Sequence, residues 1–274
     1  MKLGFVGAGR MGLPMVHRLR AAGHTVRVLA RAPQARERLT AAGLPAADLV
    51  GTAGEAADGA AALMVCVHTD AQVREVCLGG VLDRLPGGAL LIVHTTGDPG
   101  TVEEIARAHR GIAVVDAPVS GGPAQATTGA LTVFAGGAAD ALERALPLLR
   151  TYADPVLTVG PLGAGQRVKL VNNALFAATT ALVADAVALG ARLGLDEATL
   201  LAALSHGSAS SRALSLAAGF GSVGALAGGL GGFLGKDVAI VREVAARLGA
   251  DLGAIGQALA SSSGTAVLGQ AAGR

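Results

Sequence analysis

Residues Lys2 to Arg31 read KLGFVGAGRMGLPMVHRLRAAGHTVRVLAR. A short apolar strand runs into a glycine turn. An amphipathic helix is expected from about Arg10 to Ala22, with Gly23 as its stop, and a second strand follows. Strand, turn, helix and strand make a βαβ unit whose opening turn, GAGRMG, places glycines at 7, 9 and 12. Gly7 permits the tight turn, Gly9 lets a backbone approach a pyrophosphate, and Gly12 lets helix and strand pack closely. By itself the hexapeptide is a weak signal in a chain with 41 glycines. The strand before it and the helix after it supply the context, so Gly7, Gly9, Arg10, Met11 and Gly12 are expected to hold a dinucleotide.

The end of the second strand bears on which dinucleotide. An NAD site places Asp or Glu about 20 residues on, to bind the ribose 2′-hydroxyl. From His24 to Arg36 there is no acidic residue, and Arg31 stands where the strand ends. A guanidinium there can pair with a 2′-phosphate through charge-assisted hydrogen bonds, and Arg36 and Arg38 add positive potential. A solvated surface arginine is the plain alternative; NADP is preferred over NAD.

Further strands are expected at Ala61 to Val67, Ala89 to His94, Ala113 to Val115 and Leu131 to Ala135, alternating with helices at Ala71 to Cys77, Val102 to His109 and Ala139 to Leu149. This alternation predicts an α/β fold with an N-terminal doubly wound parallel sheet. Beyond Gly163 strand signals vanish into Ala/Leu-rich helix with a glycine-rich interruption from Gly219 to Gly235. We therefore expect a nucleotide-binding domain over 1–162 and an all-α domain over 163–274, opened by a long interdomain helix.

Composition narrows the partners. The 274 residues carry 22 Lys and Arg against 20 Asp and Glu, so no strong field draws the chain to nucleic acid. One Tyr, five Phe and no Trp leave few platforms for stacking bases. His17, His24, His68, His94, His109 and His206 lack metal-ligand spacing, and no metal is expected. Cys66 and Cys77 form no redox motif and no secretory signal precedes them, which suggests a reducing cytoplasm. The apolar run from Leu170 is about long enough to span a bilayer, but Asn172, Asn173, two Thr and Asp185 interrupt it. A helix buried within a soluble protein is the better reading, and its unusually apolar surface suggests a homodimer.

Two further stretches carry chemistry. In VVDAPVSGGPAQATTGALTVFAGG, a strand ending at Asp116 leads into Ser120, Gly121 and Gly122, small residues whose N–H groups and hydroxyl can surround an anion. A plain glycine turn is as good a reading of that stretch alone. In GAGQRVKLVNN, Lys169 enters an apolar helix, where a lysine without a function is costly. On a helix it shares a face with Asn172 and Asn173. Desolvation lowers an ammonium pKa, which would let a lysine take and return a proton. A lysine snorkelling to water is the alternative.

Taken together these blocks resemble the β-hydroxyacid dehydrogenases, the family of 3-hydroxyisobutyrate dehydrogenase, tartronate semialdehyde reductase and, more distantly, 6-phosphogluconate dehydrogenase. GFVGAGRMGLPM, DAPVSGGPAQATTGAL, GAGQRVKLVNN and FLGKDV occur in family order across nearly the whole chain. The resemblance implies hydride transfer between a nicotinamide and a small β-hydroxyacid or its semialdehyde or keto form. It also implies Lys169 as acid/base, oriented by Asn173, with Ser120, Gly121, Gly122 and Asn172 at the substrate. Lys236, Thr96, Val67 and His68 would lie by the cofactor. The chain departs from the family pattern at Val67, His68, the HTTGDP stretch and Ala32, and Ser205 to Leu214 leaves substrate size open. Imine reductases share this resemblance but commonly lack the lysine, which Lys169 counts against. A non-catalytic NADP-binding interaction module is the other alternative, and the chain shows no added basic or reader segment.

Overall fold

The computed structural model describes residues 1–230 and 233–269. Its packing divides into two units, Met1–Lys169 and Leu170–Arg274. The strand signals stop before Gly163, but the first turn of the next helix packs with the strands, so the division falls inside that helix.

The first unit has nine strands: β1 (Lys2–Val6), β2 (Thr25–Leu29), β3 (Leu49–Val50), β4 (Ala62–Val65), β5 (Leu90–Val93), β6 (Ala113–Asp116), β7 (Val119–Ser120), β8 (Leu131–Gly137) and β9 (Ala153–Gly160). Their order is β3-β2-β1-β4-β5-β6-β8-β7, with β9 beside β8. Strands β1 to β6 are mutually parallel. β8 runs antiparallel to β6 and β7, and β9 is parallel to β8. The expected doubly wound sheet is present, extended by an antiparallel edge.

Helices α1 (Gly12–Ala21), α2 (Pro33–Ala41), α3 (Ala53–Ala57), α4 (Asp70–Val76), α5 (Pro99–Ala108), α6 (Pro123–Thr128) and α7 (Ala139–Leu149) connect the strands. β4 (ALMV) and β5 (LLIV) are buried throughout, as parallel strands covered on both faces must be. One core gathers Leu3, Phe5, Met64 and Ile92 with Met15, Val16 and Leu19 of α1. The other gathers Val6, Leu63, Val65, Leu91 and Val93 with Val102 and Ile105 of α5. Each fully buried Leu, Ile or Val contributes about 1.5 to 3 kcal/mol.

Several boundaries differ from expectation for local reasons. Residues Gly7 to Met11 form the turn, so α1 opens at Gly12 rather than Arg10. α5 opens at Pro99, not Val102, because the Asp98 carboxylate accepts the Gly100 N–H at 2.8 Å and Pro99 takes the first helical position. β3 and β7 are two residues each, too short for an alternation signal, and β9 carries Pro155 along a largely exposed strand.

The second unit is helical, as expected. α8 (Ala164–Arg192) enters it from the first unit, followed by α9 (Glu197–Ser205), α10 (Arg212–Phe220), α11 (Val223–Leu230), α12 (Phe233–Arg247), α13 (Gly253–Ala260) and α14 (Ser262–Gly269). The glycine-rich stretch breaks the helix at Gly221 and Ser222 but is otherwise mostly helical among its described residues. Gly221, at φ 83°, ends α10, and α11 follows with Val223, Leu226, Ala227 and Leu230 buried. Residues 231–232 of that stretch lie outside the described residues. Ala177 and Ala178 of α8 share this core with Leu201, Leu214 and Val238. By length and composition α8 could cross a membrane, and 39% of its most apolar window is buried.

Candidate active site

The sheet order reverses between β1 and β4, and in such sheets ligands bind at the carboxyl ends of the strands beside that switch. The glycine turn after β1 and Val67 and His68 after β4 stand there. Gly7 follows β1 with φ +98°, and a Cβ on it would collide with the Cys66 carbonyl. A Cβ on Gly12 would collide with the Gly7 carbonyl and the Phe5 ring, so close packing excludes any larger residue. Gly9 is different: nothing lies within 4 Å of where its Cβ would be. The open space is where a pyrophosphate would approach α1, whose first turn carries no acidic residue. Beside the loop is a cavity of about 500 Å³ lined by Gly9, Arg10, Leu13, Arg18, Arg38 and neighbouring side chains, none of them acidic. The loop fits a dinucleotide.

At the end of β2, Arg31 is exposed, with its guanidinium 3.7 Å from the Glu75 carboxylate. Arg36 turns away to donate to the Leu49 carbonyl at 3.0 Å. Arg38 donates to the Ala8 carbonyl at 3.1 Å, which brings its charge against the glycine turn.

Past β4 and β5, the Thr95 hydroxyl ties down Val67. It accepts the Val67 N–H at 2.9 Å and donates to the Val67 carbonyl at 3.0 Å. The His68 and Thr69 N–H groups donate to Gln72 Oε1 at 2.9 and 3.1 Å, fixing the start of α4. Thr96 follows, half-buried. Beneath these loops His94 is buried, with Nδ1 2.7 Å from the Ala117 carbonyl and Nε2 3.1 Å from the Tyr152 hydroxyl. A carbonyl can only accept, so Nδ1 carries the proton and Nε2 accepts from Tyr152. Burial pushes the His94 pKa down to about 4.

Ser120 ends β7, and Gly121 follows with φ 122°. The expectation that the whole turn offers open donors needs one correction. Gly122 N–H donates to Gln125 Oε1 at 2.9 Å, one turn into α6, so the sequence hid a local cap.

Asp116, at the end of β6, is fully buried and holds the start of α8. Its Oδ1 accepts the Gly163 N–H and its Oδ2 the Gln166 N–H, both at 2.7 Å. Burial pushes its pKa up to about 6, partly opposed by these bonds. The Gln166 side chain donates to the Thr95 carbonyl at 2.8 Å and accepts the Gly97 N–H at 3.0 Å. Three residues further along the same helix comes Lys169, 8% exposed. Sequence reading missed Thr95, Asp116 and Gln166 as site residues, because their partners are remote in the chain.

In the second unit Asn172 Nδ2 donates to Asn173 Oδ1 at 3.0 Å, and Asn173 Nδ2 donates to Asp237 Oδ2 at 2.5 Å. Lys236 Nζ donates to Asp237 Oδ1 at 2.5 Å. Asn173 and Lys236, far apart in sequence, are joined through Asp237, which is 3% exposed. The FLGKDV block showed Asp237 in the chain, but nothing there signals its pairing with Asn173. Among the described residues no three His, Cys, Asp or Glu side chains gather as a metal set.

The family model for the NAD binding domain of 6-phosphogluconate dehydrogenase matches residues 2–160. The model for the NAD-binding region of NADP-dependent 3-hydroxyisobutyrate dehydrogenase matches residues 163–272. A 3-hydroxyisobutyrate dehydrogenase of Pseudomonas aeruginosa is 36% identical over 218 residues, covering 78% of this chain and 72% of that protein. An NAD-dependent L-serine dehydrogenase of the same organism is 37% identical over 203 residues, covering 73% and 67%. The solved structure of Mycobacterium tuberculosis 3-hydroxyisobutyrate dehydrogenase with L-serine is 27% identical, with a TM-score of 0.82 over 93% of this chain and 90% of that one. An imine reductase from Pseudomonas sp., at 23% identity and TM-score 0.61 over 70% and 67% of the two chains, shares the fold alone. The glycine turn at the switch point, the buried lysine and these matches agree: the chain belongs to the β-hydroxyacid dehydrogenase family and is an NAD(P)-dependent hydroxyacid dehydrogenase.

Proposed function

We propose that this dehydrogenase uses NADP in preference to NAD. Its substrate is a small β-hydroxyacid or the matching semialdehyde or keto acid, and Lys169 is the general acid and base. The observation that carries this reading is a lysine 8% exposed at the start of a helix anchored to β6 and to the loop after β5. The turn of Gly7, Gly9 and Gly12 would hold the dinucleotide, whose nicotinamide would supply the hydride acceptor in oxidation and the hydride donor in reduction. The proton is moved by the chain itself. Lys169 Nζ as the amine takes it from the substrate hydroxyl in oxidation, and as the ammonium returns it to the carbonyl oxygen in reduction. The Ser120 hydroxyl and Gly121 N–H orient the substrate carboxylate, with Gly122 shaping the turn. Asn173, set by Asp237 and Asn172, orients the reacting groups. Small carboxylates with a β-hydroxyl are the substrates that the names of the Pseudomonas relatives print. A panel of 3-hydroxyisobutyrate, L-serine, tartronate semialdehyde and cyclic imines, followed by NADPH absorbance, tests the substrate class. Reduction of imines alone would replace it by the imine reductase reading.

Arg31 supports the cofactor preference. A charge-assisted pair with the 2′-phosphate contributes about 1.5 to 3 kcal/mol, or roughly one to two decades in affinity. Arg31→Asp should weaken NADPH binding by that amount and leave NADH binding nearly unchanged, measured by calorimetry. Equal losses for both cofactors would make Arg31 structural.

We also propose a homodimer in a reducing cytoplasm, where free Cys66 and Cys77 fit. Val168, Leu175, Leu182 and Leu189 are exposed one heptad apart on α8, joined by Val171 and Leu193. Such a seam suits a second copy of this chain; Lys169, Asn173 and Thr180, buried on the same helix, favour a protein partner over lipid. Sedimentation at micromolar concentration should show a species of twice the chain mass, and Leu182→Glu should shift it to the monomer. A wild-type monomer would sink the dimer.

A further inference from the structure

The geometry points to Asp116 and Gln166 as positioning residues that set the place of Lys169. This inference rests on Lys169 being the acid/base. A helix can slide along its axis or turn about it, and either motion would carry the Lys169 ammonium away from a reacting oxygen. Asp116 opposes the first motion. Both carboxylate oxygens are used, one on the Gly163 N–H and one on the Gln166 N–H, so the first turn of α8 is held end-on to β6. Gln166 opposes the second. Its amide donates to the Thr95 carbonyl and accepts the Gly97 N–H, using a donor and an acceptor at once on the loop after β5. The two attachments are on β6 and on the loop that follows its neighbour β5, and Lys169 is less than one turn beyond them.

The surroundings of the carboxylate leave it no slack. A Cβ on Gly136 would lie 2.5 Å from Asp116 Oδ1, and a Cβ on Gly165 2.8 Å from Asp116 Oδ2. Gln166 is 1% exposed and Asp116 0% exposed, so neither group has water to fall back on. A Ser or Thr cap would serve the helix end at a smaller desolvation cost. What a buried carboxylate adds is short bonds from two fixed N–H groups, and so a defined position. Asp116 ends the strand that leads on to Ser120, and the Gln166 amide holds the loop that carries Thr96.

Four variants test this in the full chain: Asp116→Asn, Gln166→Leu, Gln166→Glu and Lys169→Ala, each with kcat, substrate KM and NADPH Kd. Asp116→Asn and Gln166→Leu should lower kcat by roughly 10- to 100-fold, the cost of about 1 Å of misplacement, with NADPH Kd within about threefold. Gln166→Glu carries the signature that a merely structural role would not produce. Protonated, its carboxyl again has one donor and one acceptor, so its kcat relative to wild type should rise about tenfold from pH 8 to pH 6. The same ratio for Gln166→Leu should stay flat. Near-wild-type kcat in Asp116→Asn and Gln166→Leu, alongside a dead Lys169→Ala, overturns the inference. So does a loss of kcat matched by an equal loss of NADPH affinity, which would mean general disruption. If Asp116→Asn fails to fold, the two Gln166 variants decide. Wild-type turnover in Lys169→Ala would instead overturn the acid/base reading itself.

Discussion

Lys169→Ala is expected to lower turnover by about two to four decades while leaving NADPH affinity within about threefold. The reason for the separation is where the groups stand. The dinucleotide candidates are on the turns after β1, β2, β4 and β5 and on α12, whereas Lys169 is on α8, whose first turn is held by β6 and the loop after β5. Under the proposed mechanism the substitution removes the proton carrier and none of the residues proposed for the cofactor. Calorimetric titration of NADPH beside steady-state rates on the best carboxylate substrate would show binding intact and chemistry lost. Wild-type turnover in the variant would disprove the mechanism. A parallel loss of binding would place Lys169 among the cofactor ligands instead.

The second large effect is on stability against pH, and it comes from two buried groups that pull in opposite directions. His94 has its pKa pushed down to about 4 from 6.5. Between those values the unfolded chain binds a proton that the folded chain refuses, so stability is lost as pH falls from 6.5 to 4. Asp116 has its pKa pushed up to about 6 from 3.8. There the folded chain binds the extra proton, so stability is gained as pH falls from 6 to 3.8. Each shift is worth roughly 3 kcal/mol, and in wild type the two largely offset. Asp116→Asn removes one side of the balance. Relative to wild type it should lose about 3 kcal/mol more between pH 7 and pH 4, other titrating groups being common to both. Urea unfolding at each pH, followed by the fluorescence of Tyr152, the chain's one tyrosine, reads this directly. An unchanged gap between the two proteins across that range would mean that Asp116 does not hold its proton more tightly in the fold.

The first βαβ unit was legible because its signals are local. An apolar strand, glycines at fixed offsets and an amphipathic helix each lie within a few residues, and Gly7 and Gly12 do what their spacing implies, one by a positive φ and both by contacts that exclude a side chain. β4 and β5 were legible as continuous apolar runs. Where the reading missed, the signal was short, exposed or carried by polar residues: two-residue strands, the largely exposed β9 with its Pro155, the Asp98-Pro99 start of α5, and α11 inside a glycine-rich stretch.

Lys169 announced itself in the sequence, because a charge entering a long apolar helix is costly and so calls for a reason. Ser120 to Gly122 announced themselves less clearly, and only the structure shows that Gly122 N–H is already taken by Gln125.

The sequence by itself determined the α/β architecture, the dinucleotide turn and the lysine on α8, since each depends on residues near one another in the chain. Tertiary structure alone decided what holds the start of that lysine's helix and what pairs with Asn173. Asp116 meets Gln166 across 50 residues and Gln166 meets Thr95 across 71, while Asn173 meets Asp237 across 64. A buried carboxylate or amide reads in sequence like any other Asp or Gln. Its partner is chosen only when strands and helix come together and remove the water that would otherwise satisfy it.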